Sequence, residues 1–153
     1  MAILFFEEDI EFSLKEKNKT KKWLKEIANL EGQKVGELNY IFCSDEYLYE
    51  INVEYLDHKT YTDIITFDNS EKEKIIEGDI FVSIERIRDN ALKENVTFEK
   101  ELKRVMSHGI LHLMGYKDKK KEDIKKIREM ENKAIALYDK LNVSRETNNQ
   151  IKI

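Results

Sequence analysis

The hydrophobic pattern of this chain switches between a period near two and a period near 3.6, and the switches mark out its elements. Residues 3–6 form a short apolar run of strand type, extended by the alternation Ile10, Phe12, Leu14. From Asn18 the spacing becomes helical: Trp23, Leu24, Ile27, Ala28 and Leu30 share a face, and Gly32 closes the segment. Residues 35–43 return to alternation through Leu38, Tyr40 and Phe42 and predict a second strand. Ser44-Asp45-Glu46 has the form of an N-cap with an acidic first turn, opening a helix that carries Leu48, Ile51, Val53 and Tyr55. The β-branched run at 60–67 predicts a third strand, 68–77 a polar loop and 78–83 a fourth strand. Ser83 or the next residues start a helix with Ile84, Ile87, Ala91 and Leu92. Thr97 opens another, whose apolar positions Leu102, Val105, Met106, Ile110, Leu111 and Leu113 run nearly all round it, so this helix is expected to be central and buried. A last helix uses Ile124, Ile127, Met130, Ala134, Leu137 and Leu141, and the polar tail 143–153 is expected to fray.

The result is one α/β (α+β) domain over residues 1–142, with about four strands and about five helices. A length of 153 residues, 41% of them hydrophobic, is enough for one real core. No apolar run approaches the roughly 18 residues of a membrane span. The N-terminal apolar stretch turns acidic at Glu7-Glu8 and has no basic flank, so it reads as a strand and not as a signal peptide. The single cysteine, Cys43, excludes an intramolecular disulfide and suits a reducing cytoplasm, with the thiol as a small core residue. A net charge of −4 argues against a general nucleic-acid coat. The lysines are clustered all the same. Lys15, Lys17, Lys19, Lys21, Lys22 and Lys25 read as a solvated face. Lys117, Lys119, Lys120, Lys121, Lys125 and Lys126 oppose the dipole of the helix they open, which points to a polyanion nearby.

That second cluster follows the most informative stretch of the chain, His108-Gly109-Ile110-Leu111-His112-Leu113-Met114-Gly115-Tyr116-Lys117-Asp118. Positions i and i+4 of a helix share a face, so His108 and His112 can point at one ion. Gly115 suits the turn that ends a helix and reverses the chain. The reversal can bring Asp118 round as a third ligand; the alternative is an N-cap for the following helix. A lone apolar-face histidine is usually a satisfied core residue, but two at this spacing followed by Gly and Asp favour a metal. Three protein ligands leave a tetrahedral ion one position for water, the mark of a catalytic site. No catalytic side chain is identified beyond that water. An N/N/O donor set favours one Zn²⁺.

Three segments together resemble the YbeY family of single-strand-specific endoribonucleases, the rRNA maturation factors. The helix motif H-G-x-L-H-L-x-G-Y stands at 108–116, the strand T-D-[VI]-[LI]-[ST]-F at 62–67, and the strand G-D-I-x-x-S at 78–83, in the family's order and spacing. The resemblance implies a mixed sheet packed against helices, a zinc ion, and cleavage of single-stranded RNA. It also implies a role in 3′-end maturation of small-subunit 16S rRNA and in ribosome quality control, with the ribosomal small subunit or its proteins as partners. Two positions depart from the pattern. Asp118 stands where the family usually has a third His, ten residues after the first, and an anionic ligand should make a bound water less acidic. Leu56 stands where the family places an arginine after Tyr55; His58, Lys59 or the lysines after the metal motif are candidates to steady a phosphate instead.

Two rivals follow from the same residues. The H-x-x-x-H-x-x-G-x-x-D spacing also resembles metzincin proteases, but those need a glutamate general base directly after the first His, where this chain has Gly109. A non-catalytic, zinc-stabilised ribosome-assembly factor is the other. Asp63, Asp79, Thr66 and Ser83 are either acid–base groups or caps of strand and helix ends, and capping is the favoured reading.

Overall fold

A computed structural model gives the fold, describing residues 2–141 in full and residues 142–152 as backbone only. Side chains of the tail expected at 143–153 lie outside the described residues. The element order is β1 (Ala2–Glu8), α1 (Lys17–Asn29), β2 (Lys34–Cys43), α2 (Asp45–Leu56), β3 (Ile64–Asp68), β4 (Ile75–Ser83), α3 (Ile84–Glu94), α4 (Phe98–Leu113) and α5 (Lys121–Lys152). The four strands form one sheet in the order β1-β2-β4-β3. β1, β2 and β4 run parallel and β3 runs antiparallel to β4, so the sheet is mixed as expected.

Pleating sorts the strand residues onto two faces. Tyr40 lies beside Ile80 and Phe42 beside Val82 in register, and this face packs on α1 and α4 through Trp23, Leu24, Leu102, Met106 and Ile110, while α5 packs on those two helices. Cys43, Ile65, Phe67 and Phe81 belong to the other face, where Leu48 of α2 covers them. β2 is thus an interior strand buried on both sides, which is why Ile41 and Cys43 are as hidden as the alternating set Leu38, Tyr40 and Phe42.

Polar ties fix the helices to this frame. Tyr40 Oη donates to the Met106 carbonyl at 2.7 Å, joining the middle of the sheet to α4. Trp23 Nε1 donates to the Ala134 carbonyl at 2.7 Å, joining α1 to α5. Each such buried bond is worth about 1 kcal/mol net, and more if one partner is stranded. Ser44, Ser83 and Thr97 cap α2, α3 and α4, each accepting from the backbone N–H three residues on at 3.1 Å. Among the described residues no buried side-chain nitrogen or oxygen lacks a partner.

Several expectations are corrected. Ile10, Phe12 and Leu14 do not extend β1: Asp9 takes a positive φ of 57° and its carboxylate accepts from Ser44 Oγ at 2.7 Å, which turns the chain away. These residues pack on the core from a loop. β4 begins at Ile75 and not at Gly78, because Ile75 and Ile76 pair with Lys34 and Val35; the charges of Glu73, Lys74 and Glu77 disguised it as loop. β3 begins at Ile64, inside the run expected from Thr60. On α2 the inward positions are Leu48 and Asn52, while Tyr55 is exposed. Leu30, Leu92 and Ile124 are also exposed, and Glu131 and Tyr138 occupy inward positions on α5.

Candidate metal centre

α4 carries the site because it is the helix pressed most closely on the sheet. A Cβ at Gly109 would stand 2.9 Å from Ile80 Cγ2 and 3.1 Å from Ile64 Cδ1. The position after His108 therefore faces the sheet, and a protease-type glutamate has no room there. His108 and His112 project from the neighbouring face, with ring centroids 4.7 Å apart.

The chain reverses after α4 through a left-handed turn. Gly115 N–H donates to the His112 carbonyl and Tyr116 N–H to the Leu111 carbonyl, each at 3.0 Å, the two bonds of a Schellman ending. Gly115 has φ of +108°, which a side chain would strain. Tyr116 Oη then donates to Glu31 Oε2 at 2.9 Å and holds the turn against the end of α1.

This turn delivers Asp118 to the histidines. Its Oδ2 lies 3.3 Å from His108 Nε2 and 3.2 Å from His112 Nε2. All three donor atoms lie within 4.8 Å of one another. Donors bound at about 2.1 Å around a tetrahedral zinc lie about 3.4 Å apart, so the set fits such an ion. Asp118 precedes α5 by three residues and turns to the imidazoles, so the cap alternative falls.

The site opens into a cavity of about 430 Å³ lined by Thr62, Asp63, Thr66, Arg104, Arg128 and the three donors, among others. Asp63 and Thr66 therefore belong to the site's wall. Burial lifts the Asp63 carboxyl above the usual range, although His108 and Arg86 act to lower it. Asp79 lies elsewhere, accepting from Asn39 Nδ2 at 2.9 Å in a groove with Tyr55, Phe67 and Phe81. Ser83 caps α3 and donates to Asp45 at 3.0 Å, as the capping reading holds. Leu56 and His58 line a recess that shares Thr62, Ile64 and Thr66 with the metal cavity.

Four charged residues of the cavity went unread in the sequence: Glu101, Arg104, Arg128 and Glu131. Glu131 is buried, and its Oε2 lies 2.6 Å from His108 Nδ1. The available signal was its place on the inward stripe Ile127, Glu131, Ala134, Tyr138 of α5.

Burial alone would make His108 harder to protonate, but the Glu131 hydrogen bond and the charges of Glu131, Asp118 and Asp63 outweigh it and raise its pKa. Burial acts to raise Asp118, but hydrogen bonds and charge from His112 and His108 outweigh it and lower the pKa. A raised folded-state pKa contributes stability below the unfolded value, about 6.5 for His, and loses it as pH rises through the folded value. Chelator-treated protein is therefore expected to melt at a higher temperature at pH 6 than at pH 8. Equal or reversed melting temperatures would show that His108 is not held this way.

Comparison with known proteins gives the family. A model of the family described as endoribonuclease YbeY matches residues 3–139, nearly the whole described chain. The chain belongs to the endoribonuclease YbeY family. Among its relatives, the endoribonuclease YbeY of Cytophaga hutchinsonii is 50% identical over 89% of this chain and 95% of its own. That of Flavobacterium johnsoniae is 52% identical over 87% of this chain and 95% of its own. The solution structure of TM1509 from Thermotoga maritima superposes with a TM-score of 0.66 at 30% identity, covering 94% of this chain and 93% of that one. The α+β fold with its four-stranded sheet and five helices is thus shared with a solved structure. Among the described residues no helix is long and apolar enough to cross a membrane.

Proposed function

We propose that this protein is a single-strand-specific, metal-dependent endoribonuclease acting in rRNA processing, at the 3′ end of small-subunit 16S rRNA, and in ribosome quality control. On this reading it works in the cytoplasm, with the small subunit or its proteins as partners. His108, His112 and Asp118 hold one zinc ion. The convergence of their donor atoms at the wall of an open cavity is the observation that carries the proposal.

A divalent metal there supplies Lewis-acid activation of a phosphodiester and of water. The chain supplies the rest. Lys117, Lys119, Lys120, Lys121, Lys125 and Lys126 are exposed where the turn leaves the site, and Arg104 and Arg128 reach its wall. These cations draw the RNA backbone in and offset charge that develops on the phosphate. With leucine at position 56, they stand in for the arginine that the family places there. Asp63, beside His108 with its carboxyl lifted by burial, is placed to hold or pass a proton at the edge of the site.

The test is incubation of nuclease-free protein with single-stranded and duplex RNA. Cleavage of the single strand alone, abolished by chelator and restored by zinc, is expected. No cutting of either RNA, with tight binding to ribosomal particles, would decide for a non-catalytic assembly factor.

A further inference from the structure

The donor set of the metal centre is complete without Glu131, yet this carboxylate is the most closely bonded neighbour the centre has. It stands on α5, and its side chain is only 5% exposed. Its two oxygens are divided. Oε2 meets His108 Nδ1 at 2.6 Å, on the side of the ring away from Asp118. Oε1 accepts from Arg104 Nη1 at 3.3 Å and lies 3.7 Å from Arg128 Nε. Arg104 is held in turn by Asn132 Oδ1 at 3.1 Å and by Glu101 at 3.7 Å. A buried carboxylate needs a partner for each oxygen, and here Oε2 is committed to the histidine.

An imidazole binds a metal through one nitrogen only, and the bond made by the other decides which. A carboxylate can only accept. It therefore places the proton on Nδ1 and leaves the Nε2 lone pair facing His112 and Asp118. From this geometry we infer that Glu131 is a positioning residue of the metal centre, fixing the tautomer and ring angle of His108, with Arg104 holding Glu131 in place. The inference rests on the proposed metal centre and adds that ion affinity is set partly from α5, outside the ligand motif. His112 has no comparable carboxylate behind it among the described hydrogen bonds, so the two histidines are not equivalent.

Glu131→Gln keeps the size and one acceptor but loses the charge, and its amide can flip to offer a donor. Zinc alone is the probe, titrated against a competing chelator. The variant is expected to bind zinc about 10- to 100-fold more weakly than the unaltered protein. Cobalt in place of zinc is expected to show an altered visible absorption band, a change that loss of packing alone does not produce. Zinc affinity within twofold of the unaltered protein would overturn the inference and leave the metal centre standing. Failure of the unaltered protein to bind zinc would overturn both. Nitrogen-15 NMR of the unaltered, zinc-loaded protein keeps the test decisive should the variant not fold. His108 is expected to carry its proton on Nδ1 and zinc on Nε2, and the reverse arrangement would overturn the inference.

Discussion

Replacing His112 with alanine is expected to remove zinc binding and to lower cleavage of single-stranded RNA by about a thousandfold or more. The size follows from the several kcal/mol that a Lewis acid contributes to a phosphoryl transition state, at 1.36 kcal/mol per tenfold. His112 is the better position than His108 for this experiment. His112 lies in the last turn of α4, partly exposed, and the carboxylate beside it is the half-exposed Asp118. Truncating His108 would instead strand one oxygen of the buried Glu131, and a loss of activity could then reflect a loss of folding. His112→Ala should therefore keep the melting behaviour of the chelated protein within a few degrees of the original. Zinc content by elemental analysis and single-turnover cleavage provide the readouts. Cleavage that persists when the zinc is gone would take the metal out of the mechanism.

The largest expected effect on stability comes from a single methyl group at the sheet. A Cβ at Gly78 would clash with the backbone carbonyl oxygen of Phe67 and lie 3.1 Å from Leu113 Cδ1. Leu113 can shift, but the carbonyl belongs to β3, whose Asp68 pairs with Gly78 in register. Relieving the clash means pulling β3 from β4 at that end or moving the end of α4. Gly78→Ala is expected to cost about 2–3 kcal/mol, the upper part of the range for overpacking. The urea midpoint should fall while the slope of the transition stays the same. A change below about 0.5 kcal/mol would mean that the β3–β4 pairing gives way easily.

What could be read without coordinates was local chemistry. The caps at Ser44, Ser83 and Thr97 and the turn at Gly115 are decided by a few adjacent residues, and all form as expected. The His108, His112, Asp118 set was legible because helix periodicity and one turn bring it together. Glu131 and Arg104 were not, because their contacts exist only once α5 docks on α4. No local rule links a glutamate to a histidine on another helix. Asn52 escaped for a related reason: it sits on the inward face of α2 because its Nδ2 donates to the Thr60 carbonyl at 2.8 Å, bracing the approach to Thr62 and Asp63. The start of β4 was hidden by charges on a strand whose alternate residues are buried.

Cys43 ends the interior strand with no exposed surface, under α2, and burial with the nearby carboxylates pushes its thiol up to about 12. As the chain has no second cysteine, an alkylating reagent meets a sulfur only in molecules where α2 has lifted or the sheet has come apart. The rate of that labelling is a built-in clock for opening of the α2 side of the sheet, readable by mass and without any engineered probe.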